Sequence, residues 1–234
     1  MTEYSQPPVY LSQPSTRGVL NLIFTKNIFV ILKMFRYLIL AFVAAAFADT
    51  HDGPCPEVKP VENFNLTAYQ GVWYEISKLP IASQGRGQCG QAEYTLNGDE
   101  VKVKNSHVLD GEQKFIEGTA KFATDANNAA KFIVSFKFGE FVSESGLQVL
   151  TTDYNSYSIA YNCKYDEKTK THNEQAWILS RSKSLEGEAK TTVDAFLKEH
   201  SKIIDSSKLV KTDFSEEACK FTASSAMTEQ TAKP

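Results

Sequence analysis

The side chains of this 234-residue chain best suited to chemistry are its four cysteines and four histidines. Cys55, Cys89, Cys163 and Cys219 are even in number and lack C-x-x-C spacing, which favours two disulfides over a metal site and leaves no thiol for catalysis. Three pairings are open. His51, His172 and His200 fall at a chain terminus, a strand edge and a helix, and no Ser–His–Asp set accompanies them, so nothing here reads as an enzyme's general base. His107 differs, because it shares an apolar alternating run with Asn105. Two polar groups on an inward face are either bonded to a neighbour or water inside a packed core, or they serve a polar-headed apolar ligand. The chemistry to look for is binding.

Strands must position that pair. From Trp73 to Lys183, short runs of period two are broken by turn residues at Asn97-Gly98-Asp99, Asp110-Gly111, 125–128, Gly139-Glu140 and Asn155. This spacing predicts antiparallel hairpins in a barrel or sandwich. Parity then assigns faces. Val101, Val103, Asn105 and His107 face inward, with Ile116, Gly118, Ala120 and Phe122, then Phe132, Val134, Phe136 and Phe138, then Phe141, Ser143, Ser145, Leu147 and Val149. Large aromatics beside small residues on these faces suit a barrel that holds one small ligand. Between 156 and 164 the more apolar set is Tyr157, Ile159, Tyr161 and Cys163. An amphipathic helix beginning near Ser184, with Val193, Phe196, Leu197 and His200 on one face, is expected to cover that set and Ile178 from outside. Gly71-Val72-Trp73 reads as a tight entry into the first strand, with Trp73 as a buried anchor. Residues 206–214 could add a short ninth strand, and 222–234, without apolar periodicity, are expected to be a disordered tail.

The run from Met34 to Ala48, MFRYLILAFVAAAFA, has the basic start, apolar middle and small-x-small end of a secretory signal peptide. Residues 1–33 read as an upstream extension ahead of it. Alternatively, residues 19–48 supply the ~20 apolar residues of a membrane anchor, interrupted by Lys26, Lys33 and Arg36. The folded domain is then 49–221, with no stable membrane span. Taking Arg17, Lys26, Lys33, Arg36 and Glu3 from the chain's 25 basic and 28 acidic residues leaves a net charge of −6. That balance, without a basic stripe, argues against nucleic acid as a partner. Asn65-Leu66-Thr67 is a glycosylation sequon.

Gly71 with Trp73, Thr152-Asp153-Tyr154 between two strand-like runs, and Trp177 to Arg181 closing the last one resemble, in order and separation, the three signature regions of the lipocalins. HDGPCPEVKPVENF (51–64), FIEGTA (115–120), CKYDEKTKTH (163–172), WILSRSKSLEGEAKTTV (177–193) and DFSEEACK (213–220) are similar to the insect biliverdin-binding lipocalins, the bilin-binding protein and insecticyanin family. The resemblance covers nearly the whole mature chain. It implies an all-β fold, an eight-stranded antiparallel up-and-down barrel with one C-terminal α-helix packed outside. It implies Arg181 stacked on Trp73, a pair worth ~2 kcal/mol when desolvated, and disulfides Cys55–Cys163 and Cys89–Cys219. It further implies biliverdin held non-covalently in the open end, against Asn105, His107, Ile116, Phe136, Phe138, Phe141, Ser143, Asn162, Lys164, Asn173 and Gln175. Asn105 and His107 would bond ring N–H or lactam oxygen, aromatic faces would meet the pyrroles, and Lys164 would lie near the propionates. No metal is implied. The setting would be extracellular, haemolymph or cuticle, with a role in coloration or pigment storage, and a homo-oligomer is compatible with it.

The same pocket could serve an apolipoprotein D-like carrier of a small lipid, carotenoid or pheromone. A haem carrier would demand His107 as axial ligand. The first loop, Ile81 to Gln88, and the hairpin at Gly139 form the mouth, where lipocalins vary most, so the resemblance implies the ligand less tightly than the fold.

Overall fold

Each alternating run becomes a strand because a turn stops it and sends the chain back alongside itself. At Asp110-Gly111 both φ angles are positive, 51° and 74°, the type I′ geometry whose twist matches that of the flanking strands. The computed structural model describes residues 50–80 and 87–227, all within one compact unit spanning 48–234. The leader, the extension before it, residues 81–86 of the first loop and residues 228–234 lie outside the described residues.

Among the described residues the strands are β1 (Thr50–Asp52), β2 (Gly71–Lys78), β3 (Gln88–Asn97), β4 (Glu100–Leu109), β5 (Glu112–Phe122), β6 (Lys131–Phe138), β7 (Phe141–Thr152), β8 (Tyr157–Asp166), β9 (Thr171–Ser180), β10 (Val210–Lys211) and β11 (Ala223–Ala226). A single helical turn, α1 (Leu66–Tyr69), precedes β2, and α2 (Gly187–Glu199) follows β9. Strands β2 to β9 pair antiparallel, each with the next, and β9 pairs back onto β2 from Tyr74↔Ser180 to Lys78↔Trp177. The sheet is thereby an eight-stranded barrel.

Trp73 closes one end. Its indole is fully buried, its Nε1–H donates to the Tyr69 carbonyl at 2.9 Å, and the Arg181 guanidinium lies 3.8 Å from the ring centroid. Arg181 also donates to the carbonyls of Tyr154, Val72 and Ala68 at 3.0, 2.9 and 3.1 Å, so one side chain ties α1, β2 and the β7–β8 turn together. Gly71 has φ +91°, and a Cβ there would stand 3.4 Å from Arg181 Nη1. The Thr152-Asp153-Tyr154 stretch builds that turn. Asp153 Oδ1 accepts from the backbone N–H of Asn155, Ser156 and Tyr157. Partial burial would raise its pKa, but these bonds to Tyr157, Ser156 and Asn155 outweigh that and hold the carboxyl below the usual range. Tyr154 Oη accepts from the Asn65 N–H at 3.1 Å, and Asn65 caps α1 by accepting from Ala68 N at 3.0 Å.

The outward face of β8 and β9 packs against α2: Ile159, Tyr161, Ile178, Val193 and Leu197 share one cluster, with Tyr157 and Phe196 at its edge. The cysteines pair 55–163 and 89–219, with Cα separations of 5.9 and 5.4 Å. Each closes a loop of more than 100 residues, for which loop entropy gives up to ~4.7 kcal/mol.

Three sequence expectations need correction. Between 206 and 214 only Val210–Lys211 is strand, paired with β2, after a 3-10 turn at Ser206–Lys208. Residues 222–227 of the expected disordered tail are ordered, because β11 runs parallel along an uncovered edge of β5. A ladder needs backbone groups, not apolar periodicity, so no residue type in this segment signals it. Phe122 keeps the inward register, opposite Phe132, yet it ends its strand and is 39% exposed.

Candidate ligand-binding site

The barrel lining is a set of rows read from the ladders. One step above the Phe122, Phe132 and Leu147 row at the closed end, Val101, Ala120, Val134 and Ser145 stand opposite one another; above them come Val103, Gly118, Phe136 and Ser143, then Asn105 with Ile116, and His107 with Lys114. Phe138 faces Phe141 at the tip of the β6–β7 hairpin, with ring centroids 6.4 Å apart. Low in the barrel, Val101, Val103, Ala120 and Val134 are buried, and a void of only about 20 Å³ remains, lined by Tyr69, Tyr94, Phe132, Val149 and their neighbours. Room for a ligand therefore lies above this packed layer, toward the hairpin tip where Phe141 is 50% exposed. A groove of about 320 Å³, between His51, His172 and Ile203, lies outside the barrel and has no part in this lining.

Gly118 is required by packing. A Cβ there would stand 2.2 Å from the Ser135 carbonyl oxygen and 2.6 Å from Phe136 Cδ1, distances no side chain tolerates. Its absence leaves that space to the Phe136 ring.

Asn105 and His107 occupy the wall as parity predicts. The Asn105 Oδ1 is buried and has no hydrogen-bond partner among the described residues, a state that costs about 1–3 kcal/mol. The buried His107 ring sits against Gly87, where a Cβ would stand 2.2 Å from Cδ2. Burial first, then the ammonium groups of Lys78 and Lys114, lower its pKa to about 4. At neutral pH the imidazole is uncharged, one nitrogen donating and the other accepting.

On the facing arc, Asn162 Nδ2 donates to Gln175 Oε1 at 3.1 Å, and Lys164 stands opposite Asn173 near the rim, with Lys164 exposed. The two arcs are not continuous at this height, since β7 pairs with β8 only from Gln148↔Tyr161 toward the closed end. Asn105, Ile116, Phe136 and Ser143 thus form one patch, Asn162, Gln175, Asn173 and Lys164 a second, with Phe138 and Phe141 at the lip.

Other interior residues escaped sequence reading. Lys114 and Trp177 share parity with Ile116 and Gln175 and could have been found by it. Glu75 and Lys78 are buried on β2 and joined at 2.8 Å, while Thr212 Oγ1 donates to Glu75 at 3.3 Å. Glu75 is in phase with Trp73. Lys78 is brought opposite Trp177 by a register shift between Glu75 and Ser77, which alternation alone does not reveal.

Residues 70–216 match the lipocalin / cytosolic fatty-acid binding protein family. The bilin-binding protein of Pieris brassicae is 50% identical over 187 residues, 79% of this chain and 98% of the relative. Insecticyanin-B of Manduca sexta is 43% identical over 201 residues, 83% and 98% of the two chains. The solved structure of insecticyanin from Manduca sexta superposes with a TM-score of 0.74 at 42% identity, over 79% of this chain and 98% of that one. With the barrel, its Trp73–Arg181 closure and the external helix in place, the chain belongs to the lipocalin family.

Proposed function

We propose that this lipocalin binds a linear tetrapyrrole of the biliverdin type non-covalently in the open half of its barrel, as a secreted carrier without catalytic activity. The observation that carries this reading is the buried Asn105 Oδ1, which has no hydrogen-bond partner among the described residues. A buried acceptor without a donor is tolerated where a ligand brings one, and the pyrrole N–H groups of a bilin are such donors, whereas an ionised fatty acid or a hydrocarbon carotene has none. The neutral His107 beside it can donate to a lactam oxygen or accept from a ring N–H. Phe136, Phe138 and Phe141 offer aromatic faces, and Lys164 a cation near the rim. At ~0.3 kcal/mol per heavy atom, a pigment of roughly forty such atoms reaches nanomolar affinity. The name of the Pieris brassicae bilin-binding protein, 50% identical to this chain, points the same way. Secretion agrees with the leader-like run at 34–48 and with all four cysteines being disulfide-bonded. Location in haemolymph or cuticle, a second copy as partner, and a glycan on Asn65 belong to the same reading.

The test is a titration of the secreted chain with biliverdin, followed by absorption and visible circular dichroism. Saturable one-to-one binding with a sharpened, red-shifted long-wavelength band and induced dichroism is expected. A flat response would overturn the assignment and move the search to carotenoids and lipids.

A further inference from the structure

The C-terminal residues that form β11 lie beyond the 70–216 span matched to the family, and they bear on the mouth of the barrel. The β6–β7 hairpin is short. The β5–β6 ladder ends at Gly118↔Phe136, while β5 continues beside β4 to Leu109↔Glu112. The other edge of β5 from Glu112 to Phe115 is taken by β11, with Ser225 opposite Lys114. Thr222 N–H to the Gly111 carbonyl (3.1 Å) and Met227 N–H to the Phe115 carbonyl (2.8 Å) bracket the ladder, and Cys89–Cys219 anchors the segment just before it. Ala-Ser-Ser-Ala buries little apolar surface, so backbone pairing and that tether hold it.

His107, Lys114 and Ser225 consequently form one row across β4, β5 and β11. The Lys114 Nζ donates to Ser225 Oγ at 3.0 Å and lies 2.6 Å from Glu112 Oε2. An ammonium has three N–H donors, and these contacts use two. We propose that β11 is part of the ligand's side wall and that Ser225, with Glu112, positions the Lys114 ammonium to bind a carboxylate of the ligand. This rests on the tetrapyrrole reading, since biliverdin carries two propionates. Lys114 lies on the β5 side of the mouth, on the opposite arc from Lys164, so the two could take one propionate each. Its closeness to the His107 ring is also felt there, as one of the two ammonium groups that disfavour imidazolium.

Biliverdin and its dimethyl ester, which has the same chromophore without the carboxylates, separate the possibilities. Each is titrated into the secreted chain and into its Lys114→Met and Ser225→Ala variants. The unmodified chain is expected to prefer the acid to the ester. Lys114→Met should lower that acid-to-ester ratio about five- to tenfold, and Ser225→Ala about two- to threefold, with ester affinity unchanged in both as proof of a folded barrel. An unaltered ratio in Lys114→Met, with biliverdin still bound, overturns this inference and leaves the pigment assignment standing. A loss in Lys114→Met without any in Ser225→Ala keeps the lysine contact and overturns the role of the tail. Failure of the unmodified chain to bind either pigment sinks the tetrapyrrole reading and this inference with it.

Discussion

His107 shows how much a single position in the wall is shaped by its surroundings. Its imidazole is buried under Gly87 and faces two ammonium groups, so its folded pKa of about 4 lies below the ordinary 6.5. Between those values the unfolded chain takes up a proton that the folded one does not. Its contribution to stability is therefore complete above about pH 6.5 and is lost as pH falls toward 4. In denaturant titrations, His107→Gln should flatten the stability profile across that window. An unchanged profile would mean that other groups carry the acid sensitivity. Asn105, His107 and Ile116 were legible from alternation, because in a strand one residue's face fixes that of every second neighbour. The buried Glu75–Lys78 pair was not, because a one-residue register shift moves Lys78 to the other face and leaves no mark in residue type.

At the scale of elements, the barrel strands and the covering helix were readable because each has its own repeat, two for the strands and three to four for Val193, Phe196 and Leu197. The closed end was legible through resemblance, and its geometry explains why those residue types are needed. Arg181 covers the indole and donates to carbonyls from three separate elements. Replacing it by Met keeps a stem over Trp73 but removes the cation and leaves three acceptors to water. The expected cost is ~2–4 kcal/mol, read from the midpoint of denaturant unfolding; a loss below ~1 kcal/mol would show that the stem alone closes the barrel. The C-terminal strand was invisible for the opposite reason. Its partner is a backbone edge exposed by a short hairpin many residues away, and neither side of that pairing has a compositional signature.

The molecule as a whole joins a well-packed, tethered half to a polar, partly open one. Trp73, Tyr69, Phe64 and Phe132 fill the closed end; two long-range disulfides fasten the N-terminal segment and the tail to β8 and β3. Above that, the lining turns polar and includes Asn105 Oδ1, an acceptor with no partner among the described residues. That arrangement costs stability in the empty protein, a cost that the N–H of a bound tetrapyrrole would offset. Asn105→Leu tests the claim most directly, through the unfolding free energy of wild type and variant with and without saturating biliverdin. Without pigment, the variant should be more stable by ~1 kcal/mol or more, since an unsatisfied buried acceptor has been replaced by an apolar group of the same branched shape. With saturating pigment that advantage should shrink or vanish, the variant binding roughly 5- to 30-fold more weakly for the loss of ~1–2 kcal/mol. A variant less stable than wild type when empty, or one that binds biliverdin as tightly as wild type, would contradict the account.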